Sequence, residues 1–235
     1  MTEKKERIAK KMADAGLCSR REAERWIQAG RVVVTGQILT TPAVVVGDND
    51  VILVDDKPLN KKQKTRVWLY HKPVGLVTTH RDPQGRPTVF DALPKDLPRV
   101  ISVGRLDLNS EGLLLLTNDG AWARQVELPS SHLPRTYRVR VFGVFQQEMV
   151  EKLSKGVVID GVRYAPARLV VEKTQGKHTW LQITLTEGKN REIRRLMKFF
   201  GLEVSRLIRV AYGPYQLGAL KVGEVKEVAC VLFQE

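Results

Sequence analysis

Residues 104–120 read Gly-Arg-Leu-Asp-Leu-Asn-Ser-Glu-Gly-Leu-Leu-Leu-Leu-Thr-Asn-Asp-Gly, and this stretch decides the fold. Four consecutive leucines, Leu113–Leu116, lie between Gly112 and the turn-forming run Asn118-Asp-Gly120. A short apolar run between turn signals is typical of a strand that is buried on both faces. The stretch therefore predicts a central strand, and Asp107 lies just before it.

The segments around this strand predict an α+β fold. Alternating apolar and polar residues indicate half-buried strands at 136–141 and 180–185, and a further strand is predicted at 67–70. Helices are predicted at 120–127, 146–154 and 190–200. Because the elements show no βαβ repeat, we expect a mostly antiparallel sheet with flanking helices.

The first 62 residues predict a separate, small α/β module. Apolar spacing indicates a helix at 7–15, and Ser19 with Glu22 forms the capping-box pattern of a second helix. A strand follows at 31–36, further β signals lie at 43–46 and 51–54, and a polar linker covers 56–64. The charged run at residues 1–6 differs from an apolar signal segment. The predicted domains are residues 1–62 and residues 63–235.

The composition indicates a polyanionic partner. The chain carries 39 Lys and Arg against 26 Asp and Glu, a formal net charge of +13. Nucleic acid is the first candidate, because neutralising phosphates releases counterions and drives binding. A solvated basic surface is the alternative. The sequence has no apolar stretch long enough to span a bilayer, so we expect a cytoplasmic protein with no membrane contact. We also expect a monomer.

Basic residues concentrate in two places that we expect to contact RNA. In the module, the spacing of residues 7, 10 and 11 predicts three cations on one helical face. The module cations are Arg7, Lys10, Lys11, Arg20, Arg21, Arg25 and Arg31. The second place is the predicted helix after residue 190, with Asn190 as its N-cap and a cationic stripe at residues 191, 194, 195 and 198. Its predicted RNA contacts are Lys189, Asn190, Arg191 and Arg195, and Arg206 and Arg209 extend the basic surface.

The motifs of several enzyme classes are missing from the sequence. It lacks a phosphate-binding glycine loop, a dinucleotide fingerprint and a serine nucleophile elbow. Its histidines and its two distant cysteines, Cys18 and Cys230, lack metal-ligand spacing. We therefore expect no metal and no cofactor, and a carboxylate as the reactive group.

Asp107, two residues after Arg105, is the first candidate, since a guanidinium keeps a nearby carboxylate ionised. A surface ion pair near a turn is the alternative.

Tyr137 lies in the run Arg135-Thr-Tyr-Arg-Val139. A tyrosine in a strand is usually a core residue, but in a basic protein it can also stack on an extruded base. The residues alone leave both interpretations open.

Four runs that occur together and in order resemble those of the RsuA/RluB family of ribosomal RNA pseudouridine synthases. They are residues 71–79, 103–120, 135–139 and 187–196. The N-terminal runs at 15–24 and 29–36 resemble a small RNA-binding module first named for a small-subunit ribosomal protein. The resemblance covers nearly the whole chain, and it implies conversion of a uridine in folded rRNA to pseudouridine without a cofactor.

The resemblance also implies roles for individual residues. Asp107 matches the essential aspartate of the family, and Tyr137 matches the tyrosine that stacks on the target base. Arg194 matches the basic residue that pairs with the aspartate, and Arg105 matches an arginine that helps to open the RNA.

Two further runs, at 82–90 and 204–213, look more like the members of the family that act on the large subunit, as free RNA or as an assembly intermediate. Those members often carry a long basic tail, whereas this sequence stops at Glu235, so a small-subunit target stays open. Two further functions stay open as well, namely a non-catalytic assembly factor and a glycosidase that uses Asp107 with Asp119.

Overall fold

The structure is a computed structural model that describes residues 5–233. The charged start predicted at residues 1–6 falls largely outside the described residues. The chain forms two compact units. The first contains the residues up to Thr65 together with Leu97–Ile101 and Asn118–Gly120, and the second contains the remainder.

The first unit contains two short helices and small antiparallel sheets. The helices are α1 (Ile8–Asp14) and α2 (Arg20–Gln28). The strands are β1 (Glu6–Arg7), β2 (Val32–Val34), β3 (Gln37–Ile38), β4 (Val45–Val46), β5 (Ile52–Val54) and β6 (Lys57–Pro58). Strand β1 pairs with β4, and the other four pair in the order β3-β2-β5-β6. The predicted module of two helices and a small sheet is confirmed.

Local sequence signals explain where these helices begin. The Ser19 hydroxyl accepts a hydrogen bond from the Glu22 amide at 3.1 Å, and the Glu22 carboxylate accepts from the Ser19 amide, so the predicted capping box is confirmed. Ile8, Met12 and Ile27 are fully buried and hold the two helices against the sheet. Arg7 lies in β1, before α1 begins, so the prediction of three cations on one helical face is wrong for Arg7.

The second unit is built on a nine-stranded sheet. The strands along it run in the order β13-β14-β10-β15-β9-β7-β17, with β8 on β9 and β16 on β15. Their bounds are β7 (Val67–Lys72), β8 (Ile101–Val103), β9 (Glu111–Thr117), β10 (Arg135–Phe142), β13 (Arg168–Gln175), β14 (His178–Leu185), β15 (Glu203–Tyr212), β16 (Tyr215–Gln216) and β17 (Val225–Val228). Strands β11 (Val157–Ile159) and β12 (Val162–Tyr164) form a separate hairpin.

The sheet is almost entirely antiparallel, as predicted. The exception is the pairing of β9 with β15, which is parallel. Leu113–Leu116 are all fully buried in β9, which confirms the predicted central strand. The α+β fold class is therefore confirmed.

Three helices flank this sheet, namely α3 (Gly120–Glu127), α4 (Glu148–Lys155) and α5 (Glu192–Phe199). Each lies within the range predicted for it, give or take a residue or two at its ends. Ile193, Leu196 and Met197 of α5 pack into a core that Val139 of β10 and Leu181 of β14 also enter. Within residues 5–233, no helix is both long enough and apolar enough to cross a membrane.

Candidate active site

A cleft of about 820 Å³ opens on the second unit. The loop between β8 and β9, the strand β10 and the segment between β14 and α5 all contribute to its wall. Predicted site residues meet here: the cleft is lined by Arg105, Asp107, Tyr137, Lys189, Asn190 and Arg191. Segments more than 80 residues apart in the sequence thus converge on one surface.

Asp107 lies in a tight turn before β9, and a buried lysine fixes its backbone. The Ser110 amide donates to the Asp107 carbonyl oxygen at 3.0 Å. The Lys72 ammonium, which has no exposed surface, donates to the carbonyl oxygens of Asp107, Ser110 and Pro73 at 3.2, 2.9 and 2.9 Å. Burial lowers the pKa of Lys72 to about 8. The Asp107 backbone is therefore held, while its carboxylate faces the cleft with 36% of the side chain exposed.

Two arginines lie near the Asp107 carboxylate, and they are held differently. Arg191 forms the ion pair, with Nη1 at 3.6 Å from the Asp107 Oδ2 atom. Arg194 donates from Nη2 to the Asn109 carbonyl oxygen at 2.8 Å and from Nη1 to the Val204 carbonyl oxygen at 3.2 Å. Burial lowers the pKa of Arg194, and the charge of Asp107 opposes that shift. The prediction that Arg194 pairs directly with Asp107 is therefore wrong, because Arg191 forms that ion pair instead.

Tyr137 is placed by an irregularity in the pairing of β10 with β15. The register against β15 shifts between Thr136 and Tyr137, which brings Tyr137 opposite Arg209. Such bulges re-aim side chains and occur next to active sites. The Tyr137 side chain is half-buried and lines the cleft. Arg105 is exposed in the loop before Asp107 and lines the same cleft.

The start of α5 differs from the prediction. Arg191, not Asn190, is the N-cap, and it adopts a left-handed conformation with φ of 52° and no side-chain cap. The Glu192 carboxylate accepts from the Lys189 amide at 3.0 Å, which ties the first residue of the helix to the segment before it. Because Arg191 precedes the helix, the predicted four-residue cationic stripe begins on the helix only at Arg194.

Among the acidic residues that line the cleft, Glu192 has the pKa that is shifted most from its ordinary value. It is 4% exposed and lies beside the Glu187 carboxylate, which the Lys189 ammonium and the Ala165 amide also bind. Burial, followed by the interaction with Glu187, raises the pKa of Glu192 to about 8. Glu192 is therefore mostly uncharged at neutral pH and adds little negative charge to the cleft wall.

The predicted RNA-binding cations of the first unit fall into two groups. Lys10 pairs with Glu6 and Asp14, Lys11 with Asp48, and Arg31 with Asp55. The remaining four make no ion pair within residues 5–233, and all four are exposed. They are Arg7, Arg20, Arg21 and Arg25.

The structure also places three residues where the sequence pattern does not predict them. Lys72 is buried, and a lysine in the otherwise apolar β7 is the one signal that could have indicated its role. Arg209 was expected on a basic surface, yet it is 3% exposed and lines the cleft. Asp119 does not line the cleft, and its carboxylate instead accepts from the Thr65 hydroxyl at 2.8 Å. The glycosidase that would pair Asp107 with Asp119 therefore loses its second carboxylate.

Comparisons with known proteins agree with this architecture. Residues 66–199 match the family described as RNA pseudouridylate synthase, and residues 6–52 match the S4 domain. A protein of Rickettsia bellii (strain RML369-C), described as an uncharacterized RNA pseudouridine synthase, is 49% identical over 97% of this chain and 99% of its own length.

Two further relatives support the same assignment. The ribosomal large subunit pseudouridine synthase B of Yersinia pestis is 44% identical over 90% of this chain and 69% of its own length. A crystal structure of a pseudouridylate synthase superposes with a TM-score of 0.66 at 26% identity, over 95% of this chain and 96% of that one. With the family match spanning more than half of its residues, this chain belongs to the RNA pseudouridine synthases and carries an S4 domain at its N-terminus.

Proposed function

We propose that this pseudouridine synthase isomerises one specific uridine of large-subunit ribosomal RNA, with Asp107 as the catalytic carboxylate. The observation that carries the proposal is the position of Asp107. Its backbone is tied down by Lys72, while its carboxylate opens into the cleft beside Arg191. The large-subunit target rests on relatives that bear that name at 44% identity. A small-subunit target is the alternative.

The cleft has the size for one extruded nucleotide. Its volume of about 820 Å³ lies in the range of about 300–1,000 Å³ that is usual for small-molecule sites. A uridine in folded RNA must leave its stack to reach Asp107, and unstacking costs a few kcal/mol. Stacking on Tyr137 and phosphate contacts by the basic surfaces offset that cost.

Asp107 starts the reaction at the ribose in one of two ways. Its carboxylate attacks C1′, or it removes the 2′ proton to give a glycal. In both routes the C1′–N1 bond breaks and its electron pair leaves with N1. The uracil then rotates and a bond forms between C1′ and C5. As that bond forms, the bond between Asp107 and C1′ breaks in the first route, and in the second route Asp107 returns the proton to C2′. The C5 proton is released and N1 takes up a proton. Product and substrate have the same atoms, so the reaction has no net oxidation or reduction.

The neighbouring residues prepare this step. Arg191 forms an ion pair with the Asp107 carboxylate, and Arg194 fixes the turn through the Asn109 carbonyl. Arg105, exposed in the loop before Asp107, is placed to enter the RNA beside the extruded nucleotide.

The remaining predicted contacts supply binding to the phosphate backbone. In the S4 domain, the exposed arginines of α2 are the main candidates, because they carry no carboxylate partner within the described residues. At the cleft, the candidates are Lys189, Asn190 and Arg191, and Arg195 is a further candidate on the exposed surface of α5, outside the cleft lining. These contacts carry no sequence information themselves, but they set the register of the RNA on the enzyme.

Mapping of pseudouridines in ribosomal RNA tests the target directly. A strain lacking this protein should lose one modified site in large-subunit rRNA, and a plasmid carrying the wild-type chain should restore it. The empty plasmid is the control. Loss of a small-subunit site would overturn the large-subunit assignment, and an intact set of sites in the deletion strain would overturn the rRNA target altogether.

A further inference from the structure

A stack of three side chains forms part of the cleft wall. The Tyr212 ring lies between two guanidinium groups, with the Arg135 and Arg209 Cζ atoms 4.6 and 5.1 Å from its centroid. Arg135 also donates from Nη2 to the Tyr212 hydroxyl at 2.9 Å. All three residues line the cleft that contains Asp107.

The two arginines of this stack are buried without a carboxylate partner. Arg209 is 3% exposed and Arg135 is 7% exposed, and neither forms an ion pair within residues 5–233. Arg209 donates from Nε to the Leu113 carbonyl oxygen at 2.7 Å, and Arg135 donates to the Thr186 carbonyl oxygen at 3.3 Å. The nearby Glu127 carboxylate accepts instead from the Gly104 amide. A buried cation without a counter-charge is costly, so its retention calls for an acceptor.

One atom in particular lacks such an acceptor. The Arg209 Nη2 atom is buried and has no hydrogen-bond partner among the described residues. Buried polar atoms are nearly always satisfied, and exceptions in a cleft point to a missing ligand atom. Because Arg209 lines the cleft, an acceptor atom on a ligand bound there would satisfy this donor.

The position of Arg209 is fixed by the backbone. Arg209 pairs with Gly112 across the parallel contact of β15 with β9. A Cβ atom at Gly112 would lie 2.3 Å from the Arg209 carbonyl oxygen, and Gly112 has φ of 104°, so only glycine permits this approach. On the other side, Arg209 lies opposite Tyr137 in the ladder with β10, and opposite residues project to the same face.

We infer that Arg209 is a catalytic residue that donates from Nη2 to a carbonyl oxygen of the extruded uracil and stabilises the charge formed when the C1′–N1 bond breaks. Arg135 is a positioning residue, which holds Arg209 through the Tyr212 ring. The inference rests on the proposed function. It identifies the acceptor as a base oxygen because Arg209 lies beside Tyr137, the residue proposed to stack on that base.

The movement of electrons in the reaction supports a role for Arg209 in stabilising the charge that forms on the uracil. When the C1′–N1 bond breaks, N1 keeps the electron pair and the detached uracil becomes an anion whose charge spreads to O2 and O4. The pair returns when C5 bonds to C1′ and the C5 proton leaves. Both routes at Asp107 pass through this anion. A fixed donor aimed at such an oxygen acts more strongly on the anion than on neutral uracil, which is how an oxyanion hole accelerates a reaction.

Single-turnover rates on two substrates test the inference. Arg209→Met and Arg209→Lys are compared with wild type on an rRNA fragment that carries uridine or 5-fluorouridine at the target. Both rates are followed as loss of the N1-linked nucleoside, because fluorine replaces the C5 proton and the reaction of 5-fluorouridine stops once C5 has bonded to C1′. Fluorine withdraws electrons and stabilises the uracil anion without help from the protein. Arg209→Met should lose about 100- to 1,000-fold in rate on uridine. The loss on 5-fluorouridine should be at least about tenfold smaller, and RNA affinity should change by less than about threefold.

Matched controls separate catalysis from structure and from phosphate binding. Arg163→Met removes an exposed arginine of β12 that does not line the cleft, and it should leave both rates unchanged. If thermal unfolding shows that Arg209→Met does not fold, Arg209→Lys keeps the charge and should show a smaller loss with the same fluorine dependence. Equal losses on both substrates would overturn the inference, and so would a loss of RNA affinity at an unchanged rate, which would indicate a phosphate contact. A wild-type enzyme that converts neither substrate would overturn the proposed function instead.

Discussion

Three cations of the S4 domain and three arginines near the cleft are held by different kinds of acceptor. Three cations of the S4 domain are paired with carboxylates, namely Lys10, Lys11 and Arg31. Three arginines near the cleft donate to main-chain carbonyl oxygens instead, namely Arg135, Arg194 and Arg209. A carboxylate cancels the charge of its partner, whereas a carbonyl positions a guanidinium and leaves its charge in place.

This difference indicates which of the basic residues behind the net charge of +13 can interact with RNA. In the S4 domain, the available cations are the exposed arginines of α2, which are screened by solvent and suited to phosphate contact. In the cleft, buried arginines act in a low dielectric, where charge–charge interactions are stronger. The S4 domain is therefore suited to binding the RNA, and the cleft is suited to catalysing the reaction.

The largest effect on stability and turnover that we expect from changing these cations is that of a substitution at Arg194. Arg194→Met removes two hydrogen bonds, to the carbonyl oxygens of Asn109 and Val204, and a typical hydrogen bond contributes about 0.5–1.5 kcal/mol. Arg191→Met removes only a half-exposed ion pair, worth about 0–1 kcal/mol. The melting temperature and kcat should therefore both fall more for Arg194→Met. A larger loss in Arg191→Met would show that the direct pair with Asp107 dominates.

The second prediction concerns Glu192, the buried acid of the cleft wall. Its pKa is about 8 in the folded chain, against an ordinary value of 4.5 for a solvated glutamate. Between these values the unfolded chain has released the proton and the folded chain still holds it, so rising pH destabilises the fold. The effect is at most about 1.4 kcal/mol per pH unit.

Glu192→Gln removes this titration, so its stability relative to wild type should rise from pH 5 to pH 8. Denaturant unfolding at several pH values measures the difference. Glu227→Gln, at an exposed glutamate paired with Arg66, is the control and should show no such rise. A difference between Glu192→Gln and wild type that stays constant with pH would contradict the uncharged state of Glu192.

The third prediction concerns Tyr137, which borders the cleft arginines. If it stacks on the extruded base, Tyr137→Ala should lose about 1–3 kcal/mol of RNA binding. Tyr137→Phe keeps the aromatic face and should bind like wild type. A binding titration with an rRNA fragment measures both variants, and equal affinities would exclude stacking. Loss of turnover in the Phe variant alone would assign proton transfer to the hydroxyl.

The smallest expected effect is on the salt dependence of binding. Replacing Arg20, Arg21 and Arg25 with glutamine should flatten the plot of log K against log salt, by up to about 0.9 for each lost phosphate contact. Replacing Lys10 and Lys11 in the same way should change the slope less, because both already pair with carboxylates. Equal changes in the two variants would remove the distinction between paired and exposed cations of the S4 domain.

The sequence predicted the features that depend on local pattern. The capping box at Ser19, the buried strand at Leu113–Leu116 and the antiparallel sheet all follow from periodicity and turn chemistry. Grouping Asp107 with Tyr137 needed the family resemblance, because the two lie 30 residues apart and meet only through the sheet.

The remaining features depend on contacts that no local pattern encodes. Arg191 rather than Asn190 is the N-cap of α5, in a left-handed conformation that the residue pattern does not predict. Arg209 is buried because Gly112 lets two backbones approach, although its neighbours in sequence look like a basic surface. Burial of an arginine or a lysine is set by tertiary packing, so sequence alone assigns such residues to the surface.

Turnover of Asp107→Asn tests the central claim most directly. Asparagine has nearly the shape of aspartate, and Asp107 keeps a third of its side chain exposed, so the fold and the RNA affinity should be retained. An amide neither attacks C1′ nor accepts the 2′ proton at a useful rate, so kcat and kcat/KM should fall together. The measurement is tritium release from C5-labelled uridine in a large-subunit rRNA fragment, beside a binding titration. We predict release below detection with normal binding, and near-normal release would contradict the assignment of Asp107 as the catalytic carboxylate.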